Sequence, residues 1–123
     1  MVNRRTGILA WQNYLGADYA GPEDPRVSSY AAPARATDLT GLPPTYIVAA
    51  ERCPLRDEDI EYALRLLRAG VSVELHSYAG AFHGFMELAP SAEISVRAQR
   101  ELIDAVRRGL TRRSQRPTSA ACS

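Results

Sequence analysis

The sequence has few cysteines, no long apolar run and no excess of charge of one sign. Its 123 residues include two cysteines, Cys53 and Cys122, which are too few for a disulfide framework and stand in no metal-ligand spacing. This usage favours a reducing, cytoplasmic location. A net charge of +1 gives no electrostatic reason to expect a nucleic-acid or acidic-membrane partner. Apolar runs such as residues 46–50 are too short to span a bilayer. No motif predicts a metal site or another cofactor.

The length allows one modest domain. Ile8 and Trp11 lie at helical spacing and predict a short helix over residues 6–15. Residues 16–44 are rich in Gly, Pro, Ala, Ser and Asp and contain repeated proline breakers, which indicates a long irregular segment. Because a structureless stretch of this length is unusual inside a compact domain, we expect it to lie across a surface that something else supplies.

Residues 45–110 predict a regular βαβα unit. Residues 45–50 are typical of a buried strand, and residues 71–78 alternate like a half-exposed strand with His76 towards solvent. The helix between them, residues 57–69, starts with acids, ends with arginines and is stopped by Gly70. Strands joined by a helix in this way pair in parallel. So small a parallel sheet cannot cover its own faces and edges, so we expect the end of a larger sheet.

A second helix is predicted over residues 91–110, with Ser91 as its N-cap. Its buried face is expected to consist of Ile94, Ala98, Leu102, Ala105 and Val106. The polar residues 111–123 predict a disordered tail.

Two predicted loops carry chemical groups, and both follow strands. They are residues 51–58 and residues 79–85, and the second contains His83 between glycines. Catalytic residues of open α/β sheets gather at the carboxyl ends of strands. An acid from the neighbouring loop would fix the tautomer of His83 and support its charge.

Four stretches in these positions resemble the hormone-sensitive-lipase-like esterases, the α/β-hydrolase fold-3 family. They are residues 41–51, 54–58, 62–75 and 80–85, and the similarity extends over about residues 8–110. The resemblance implies an α/β class chain with a partial α/β-hydrolase fold, its C-terminal βαβα unit preceded by the irregular segment. It also implies a serine carboxylesterase or lipase that hydrolyses short-to-medium acyl esters. His83 falls on the family's catalytic histidine, and Cys53 falls on the position of the family's acid.

The sequence departs from the family pattern in two ways. It contains no Gly-x-Ser-x-Gly nucleophile elbow and no His-Gly-Gly-type oxyanion loop. Cys53 is a weak hydrogen-bond acceptor whose thiol is mostly neutral, so it is expected to mark a decayed acid site. Asp57 or Glu51 are possible surrogate acids, although capping the helix and tying down the loop are their expected roles.

Three functional hypotheses follow. The first is a truncated hydrolase that is inactive alone and prone to self-association through its exposed sheet. The second is one half of a split esterase, which meets a small ester substrate only when a partner chain supplies the nucleophile. The third is a non-catalytic binding module that reuses the βαβ unit.

Overall fold

A computed structural model describes residues 4–21 and 24–113 and shows an α/β architecture. Its elements in chain order are α1 (Arg4–Leu15), a 3-10 helix (Pro33–Arg35), β1 (Thr45–Arg52), α2 (Arg56–Arg68), β2 (Val73–Phe82), α3 (Phe85–Leu88) and α4 (Glu93–Arg113). The chain divides into two compact units, one ending at His83 and one beginning at Gly84. None of the described helices is long and apolar enough to cross a membrane.

β1 and β2 pair in parallel, as predicted, and both run further than the sequence pattern indicated. Their register places Thr45 opposite Val73 and Ala50 opposite Tyr78. Beyond this point the register shifts, because β2 advances from Tyr78 to Phe82 while β1 advances only from Ala50 to Arg52. The predicted loops that start at residues 51 and 79 are therefore shorter, and they begin at residues 53 and 83.

The irregular part of the sheet is held by a contact between the two strands. The backbone N–H of Gly80 donates to the carboxylate of Glu51, and Gly80 has a φ of +75°, which favours glycine. The extra residues of β2 are thus absorbed as a bulge, and pairing resumes at Phe82. Pairing therefore continues to Phe82, the residue before His83.

The predicted start and stop signals of α2 are confirmed. Asp57, Glu58 and Asp59 occupy its first turn, and Arg65 and Arg68 its last. Gly70 has a φ of +79°, and the N–H of Val71 donates to the carbonyl of Leu66 at 3.0 Å. This is the 6→1 bond of a Schellman motif, which ends the helix at the predicted place.

The end of the irregular segment lies on α2 of this same chain. Leu39, Leu66 and Val71 form the buried apolar cluster of the first unit. The guanidinium of Arg65 donates to the backbone carbonyls of Ala34 and Ala36. For this part of the segment, the expectation of a surface supplied from elsewhere is wrong, because Leu39 and the Arg65 contacts attach it to α2.

An ion-pair network organises the earlier part of the segment. The guanidinium of Arg26 contacts the carboxylates of Asp24 and Asp18, each at 2.7 Å. Asp24 is buried and also accepts the backbone N–H groups of Ala20 and Arg26, each at 3.0 Å. The Arg26 guanidinium holds the pKa of Asp24 well below its usual range.

We expect Asp24→Asn to accelerate amide hydrogen exchange of Ala20 and Arg26 several-fold at pH 7. The pKa of Asp24 is lower in the folded than in the unfolded chain, where it is about 3.9, so its stabilisation is complete above that value. As the pH falls towards the lower pKa that Asp24 has in the folded chain, the natural protein loses this stabilisation relative to the Asn variant. Asp38→Asn is the matched control, because Asp38 accepts the N–H of Thr40 and should affect exchange there alone. Equal exchange of Ala20 in all three proteins at pH 7 would contradict this role.

The second unit contains α3, which the sequence pattern did not predict, and α4. Ser95 is fully buried on α4, and its hydroxyl donates to the carbonyl of Phe85 at 3.0 Å. The carbonyl of Ala92 accepts the N–H of Val96, so α4 begins at Glu93 and the prediction of Ser91 as N-cap is wrong.

The far end of α4 also differs from the prediction. Val106, which we predicted on the buried face, is 52% exposed. The helix continues through residues 111–113, which we predicted as disordered, and the hydroxyl of Thr111 contacts the carbonyls of Arg107 and Arg108. The rest of the predicted tail, including Cys122, lies outside the described residues.

Candidate active site

Cys53 and His83 each follow directly on a strand, and the structure brings them together. Cys53 is the first residue after β1, and His83 is the first residue after β2. Because Arg52 pairs with Phe82, the two chain positions meet at the carboxyl edge of the sheet. The Sγ of Cys53 lies 3.1 Å from Nδ1 of His83. Since the contact uses Nδ1, Nε2 is the ring nitrogen left for proton transfer to another group.

The turn after β1 aims Cys53 at the imidazole. The N–H of Cys53 donates to the carbonyl of Ala50 at 2.9 Å, and the N–H of Leu55 donates to Sγ of Cys53 at 3.4 Å. The sulfur thus accepts one backbone donor and faces one imidazole nitrogen. A carboxylate at this position would meet the same two groups and would accept hydrogen bonds from both.

The two predicted surrogate acids are engaged elsewhere. The carboxylate of Glu51 holds the bulge at Gly80. Asp57 is 81% exposed and pairs with the Arg56 guanidinium at 2.7 Å, which lowers the pKa of Asp57. Arg56 also donates to the backbone carbonyl of Glu51 at 3.1 Å. Both acids therefore stabilise the loop and the start of α2.

Asp59 is an acid near His83 that the sequence reasoning did not single out. Burial raises the pKa of Asp59, the neighbouring Glu58 adds to this rise, and His83 opposes it. Asp59 lies in the first turn of α2, so the sequence pattern explained it as a helix-dipole residue. Because that turn holds three acids, the sequence did not show which of them interacts with His83.

His76, the other histidine, lies in the middle of β2 and not at its end. Its side chain is 29% exposed and lies between the rings of Tyr46 and Tyr78, with centroid distances of 5.0 and 6.1 Å. Nε2 of His76 contacts the carboxylate of Glu74 at 2.9 Å. The prediction that His76 faces solvent is wrong, because it shares a strand face with the buried Tyr78.

A cavity of about 950 Å³ lies in the first unit, between α1, the irregular segment and the first turn of α2. Its wall includes Ile8, Trp11, Tyr19, Asp24, Arg35 and Glu58. The rings of Trp11 and Tyr19 stack with centroids 5.9 Å apart and an interplanar angle of 27°. The sequence pattern placed Ile8 and Trp11 together on one side of a predicted helix, and it did not indicate that the other walls lie against them.

Within residues 4–21 and 24–113, no three His, Cys, Asp or Glu side chains are placed to hold a metal ion together. The chemical groups that the structure brings into contact are instead a thiol and an imidazole. An imidazole with one nitrogen supported and the other open can take and return a proton.

Comparison with known proteins gives a consistent set of similarities. Residues 1–87 match a family model described as alpha/beta hydrolase fold. The carboxylic ester hydrolase LipN of Mycobacterium tuberculosis is 39% identical over 99 residues, which are 80% of this chain and 25% of LipN. The carboxylesterase NlhH of the same species is 42% identical over 73 residues, which are 59% of this chain and 23% of NlhH. This chain therefore spans about a quarter of the length of these curated relatives.

A solved structure of a bacterial heroin esterase is similar in both sequence and fold. It shares 62% sequence identity with this chain, with a TM-score of 0.84. The match covers 89% of this chain and 34% of the esterase chain.

Proposed function

The chain belongs to the α/β-hydrolase fold family, and we propose that it supplies the general base, His83, of a serine carboxylic ester hydrolase. The proposed substrates are short-to-medium acyl esters. The similar solved structure is named a heroin esterase, so we include bulky esters among them. We place the protein in the cytoplasm, on the cysteine usage of its sequence.

One contact carries the proposal, the 3.1 Å approach of Sγ of Cys53 to Nδ1 of His83. In a catalytic triad, the acid lies at Nδ1 of the histidine and the nucleophile at Nε2. In this chain Cys53, the residue after β1, lies at Nδ1 of His83, the side of the ring that the acid takes in a triad. Cys53 therefore occupies the position of a positioning group, and its sulfur faces away from the side of the ring where substrate would react.

The proposed reaction has two halves, and in each of them Nε2 of His83 first takes a proton and then returns it. A serine hydroxyl gives its proton to Nε2 while its oxygen bonds to the ester carbonyl carbon. The imidazolium then returns the proton to the departing alcohol, and the acyl group stays on the serine. Water repeats the sequence: it gives a proton to Nε2, attacks the acyl carbon and releases the acid, while the serine oxygen takes the proton back.

No serine of the 123 residues stands in a Gly-x-Ser-x-Gly setting. We therefore propose that the nucleophile and the oxyanion donors come from polypeptide outside these residues, and that these residues alone do not hydrolyse esters. Cys53 weakens even the completed site, because a thiol stabilises an imidazolium less than a carboxylate does.

A chimera tests the proposal. This chain replaces the matched 34% of the bacterial heroin esterase, whose remaining part is kept unchanged. We expect the chimera to hydrolyse p-nitrophenyl acetate more slowly than the parent esterase and faster than the same chimera with its nucleophilic serine changed to alanine. This chain alone should show no hydrolysis above the buffer rate. A folded chimera with no more activity than its serine variant would overturn the proposal.

A further inference from the structure

We propose that Cys53 is a site of oxidation, and that its conversion by a peroxide to the sulfinate supplies the acid that the proposed esterase site lacks. This inference rests on the proposed function, because it names the regulation of the same site. The groups around the sulfur already have the arrangement that an acid needs. Sγ accepts the N–H of Leu55 at 3.4 Å and lies 3.1 Å from Nδ1 of His83.

The imidazole of His83 gives the Cys53 thiol a partner for its proton. A thiol that passes its proton to a neighbouring imidazole becomes the thiolate, which is the form that reacts with peroxides. Nδ1 of His83 lies within reach of that proton. Cys53 is half-buried and His83 is exposed, so a small peroxide has access to the sulfur. The pair therefore has both features of an oxidation-sensitive cysteine, a nearby base and contact with solvent.

The modification takes two steps, each of which consumes one peroxide molecule. In the first, the thiol proton passes to Nδ1 of His83 and Sγ attacks one oxygen of the peroxide. The S–O bond forms as the O–O bond breaks, so the sulfur loses two electrons, and the departing oxygen gains them and takes the proton. In the second, the sulfur of the sulfenic acid attacks another peroxide in the same way, and the resulting sulfinic acid releases its proton to solvent.

A second cysteine that would intercept the sulfenic acid does not stand near Cys53 in the described part of the chain. A sulfenic acid condenses to a disulfide when another thiol lies close to it. Cys53 is the only cysteine among residues 4–21 and 24–113. The sulfenic acid is therefore left to react with another peroxide molecule.

The sulfinate differs from the thiol in the direction of its hydrogen bonds. The thiol can donate to Nδ1 of His83, which leaves the imidazole proton on Nε2, the nitrogen that must accept the proton of the serine. The sulfinate is an anion whose oxygens only accept, so it requires the imidazole proton on Nδ1. It also accepts the N–H of Leu55, as Sγ does. Oxidation therefore fixes the tautomer and supplies the charge that a triad acid provides.

Oxidation is tested on the full chain with Cys122→Ser, so that Cys53 is its only cysteine. The protein is treated with hydrogen peroxide, and mass spectrometry follows the oxygen atoms added at Cys53. We expect a product with two added oxygens, formed at least about tenfold more slowly in His83→Ala, which lacks the base. His76→Ala is the matched control and should not slow the reaction. Equal rates in all three proteins, or no second oxygen on Cys53, would overturn the inference.

Activation is tested in the chimera, with kcat for p-nitrophenyl acetate measured before and after treatment with hydrogen peroxide. We expect treatment to raise kcat at least about tenfold, and by less than the roughly 10⁴-fold of Cys53→Asp, because a sulfinate is a weaker base than a carboxylate. Cys53→Ser should show no rise. A chimera that carries the sulfinate without gaining activity, while Cys53→Asp activates it, would overturn the inference and leave the proposed function standing. A folded chimera that is inactive in all of these forms would overturn both.

Discussion

Changing Cys53 to aspartate is expected to raise kcat of the chimera on the order of 10⁴-fold, which is the factor that a serine protease loses when its triad acid is neutralised. The two groups that would hydrogen-bond to a carboxylate at position 53 are already in place. The N–H of Leu55 points at Sγ, and Nδ1 of His83 lies 3.1 Å from it. An aspartate would accept both bonds, fix Nδ1 as the protonated nitrogen and stabilise the imidazolium that forms during catalysis.

Cys53→Asn separates charge from shape in this experiment. The amide has the size of the carboxylate and can accept the N–H of Leu55, but it cannot balance a positive charge on His83. We expect Cys53→Asn to give only a small fraction of the kcat gain that Cys53→Asp gives. The measurement is kcat for p-nitrophenyl acetate with all three chimeras at equal concentration of active sites. A gain that is equal for the aspartate and the asparagine variants would contradict an electrostatic role for position 53.

Removing His83 is expected to lower kcat of the chimera by about 10²-fold in the Cys53 background and by about 10⁶-fold in the Cys53→Asp background. In a serine protease, loss of the acid alone lowers kcat about 3 × 10⁴-fold, and loss of the histidine lowers kcat about 2 × 10⁶-fold. A site that already lacks the acid can therefore lose only the ratio of these two factors when its histidine is removed. A chain that lacks the family acid thus has less activity to lose when its base is removed.

The control for His83→Ala is His76→Ala. His76 lies in mid-strand, paired with Glu74 and packed between two tyrosines, so its loss affects packing and not proton transfer. We expect the control to lower the melting temperature and to keep kcat within about threefold, since surface and half-buried changes away from the site act through stability. If His76→Ala abolished hydrolysis as fully as His83→Ala, the assignment of the base would fail.

The sequence predicted the parts of the fold that depend on local patterns. The ends of α2 follow from charges in its first and last turns and from the positive φ of Gly70, all of which act within a few residues. The pairing of Cys53 with His83 could also be expected, because both follow parallel strands. The first of these features follows from local signals, and the second from the parallel pairing of the two strands.

The parts that were missed depend on contacts between residues far apart in sequence. The bulge that extends β2 exists because Glu51 accepts the N–H of Gly80, 29 residues away. The irregular segment is fixed by Leu39 and Arg65, and neither contact has a periodic signature. Asp59 was missed because one acid of a run of three can be assigned to the helix dipole without a structure.

The most direct test of the account is a double-mutant cycle of Cys53→Asp and His83→Ala in the chimera, with kcat as the measured quantity. If Cys53 stands at Nδ1 of the catalytic base, the gain of about 10⁴ from Cys53→Asp requires His83. We predict that this gain disappears once His83 is alanine, so that the double variant is as slow as His83→Ala alone. A gain of the same size in the presence and absence of His83 would show that position 53 acts independently of the histidine, and would contradict the account.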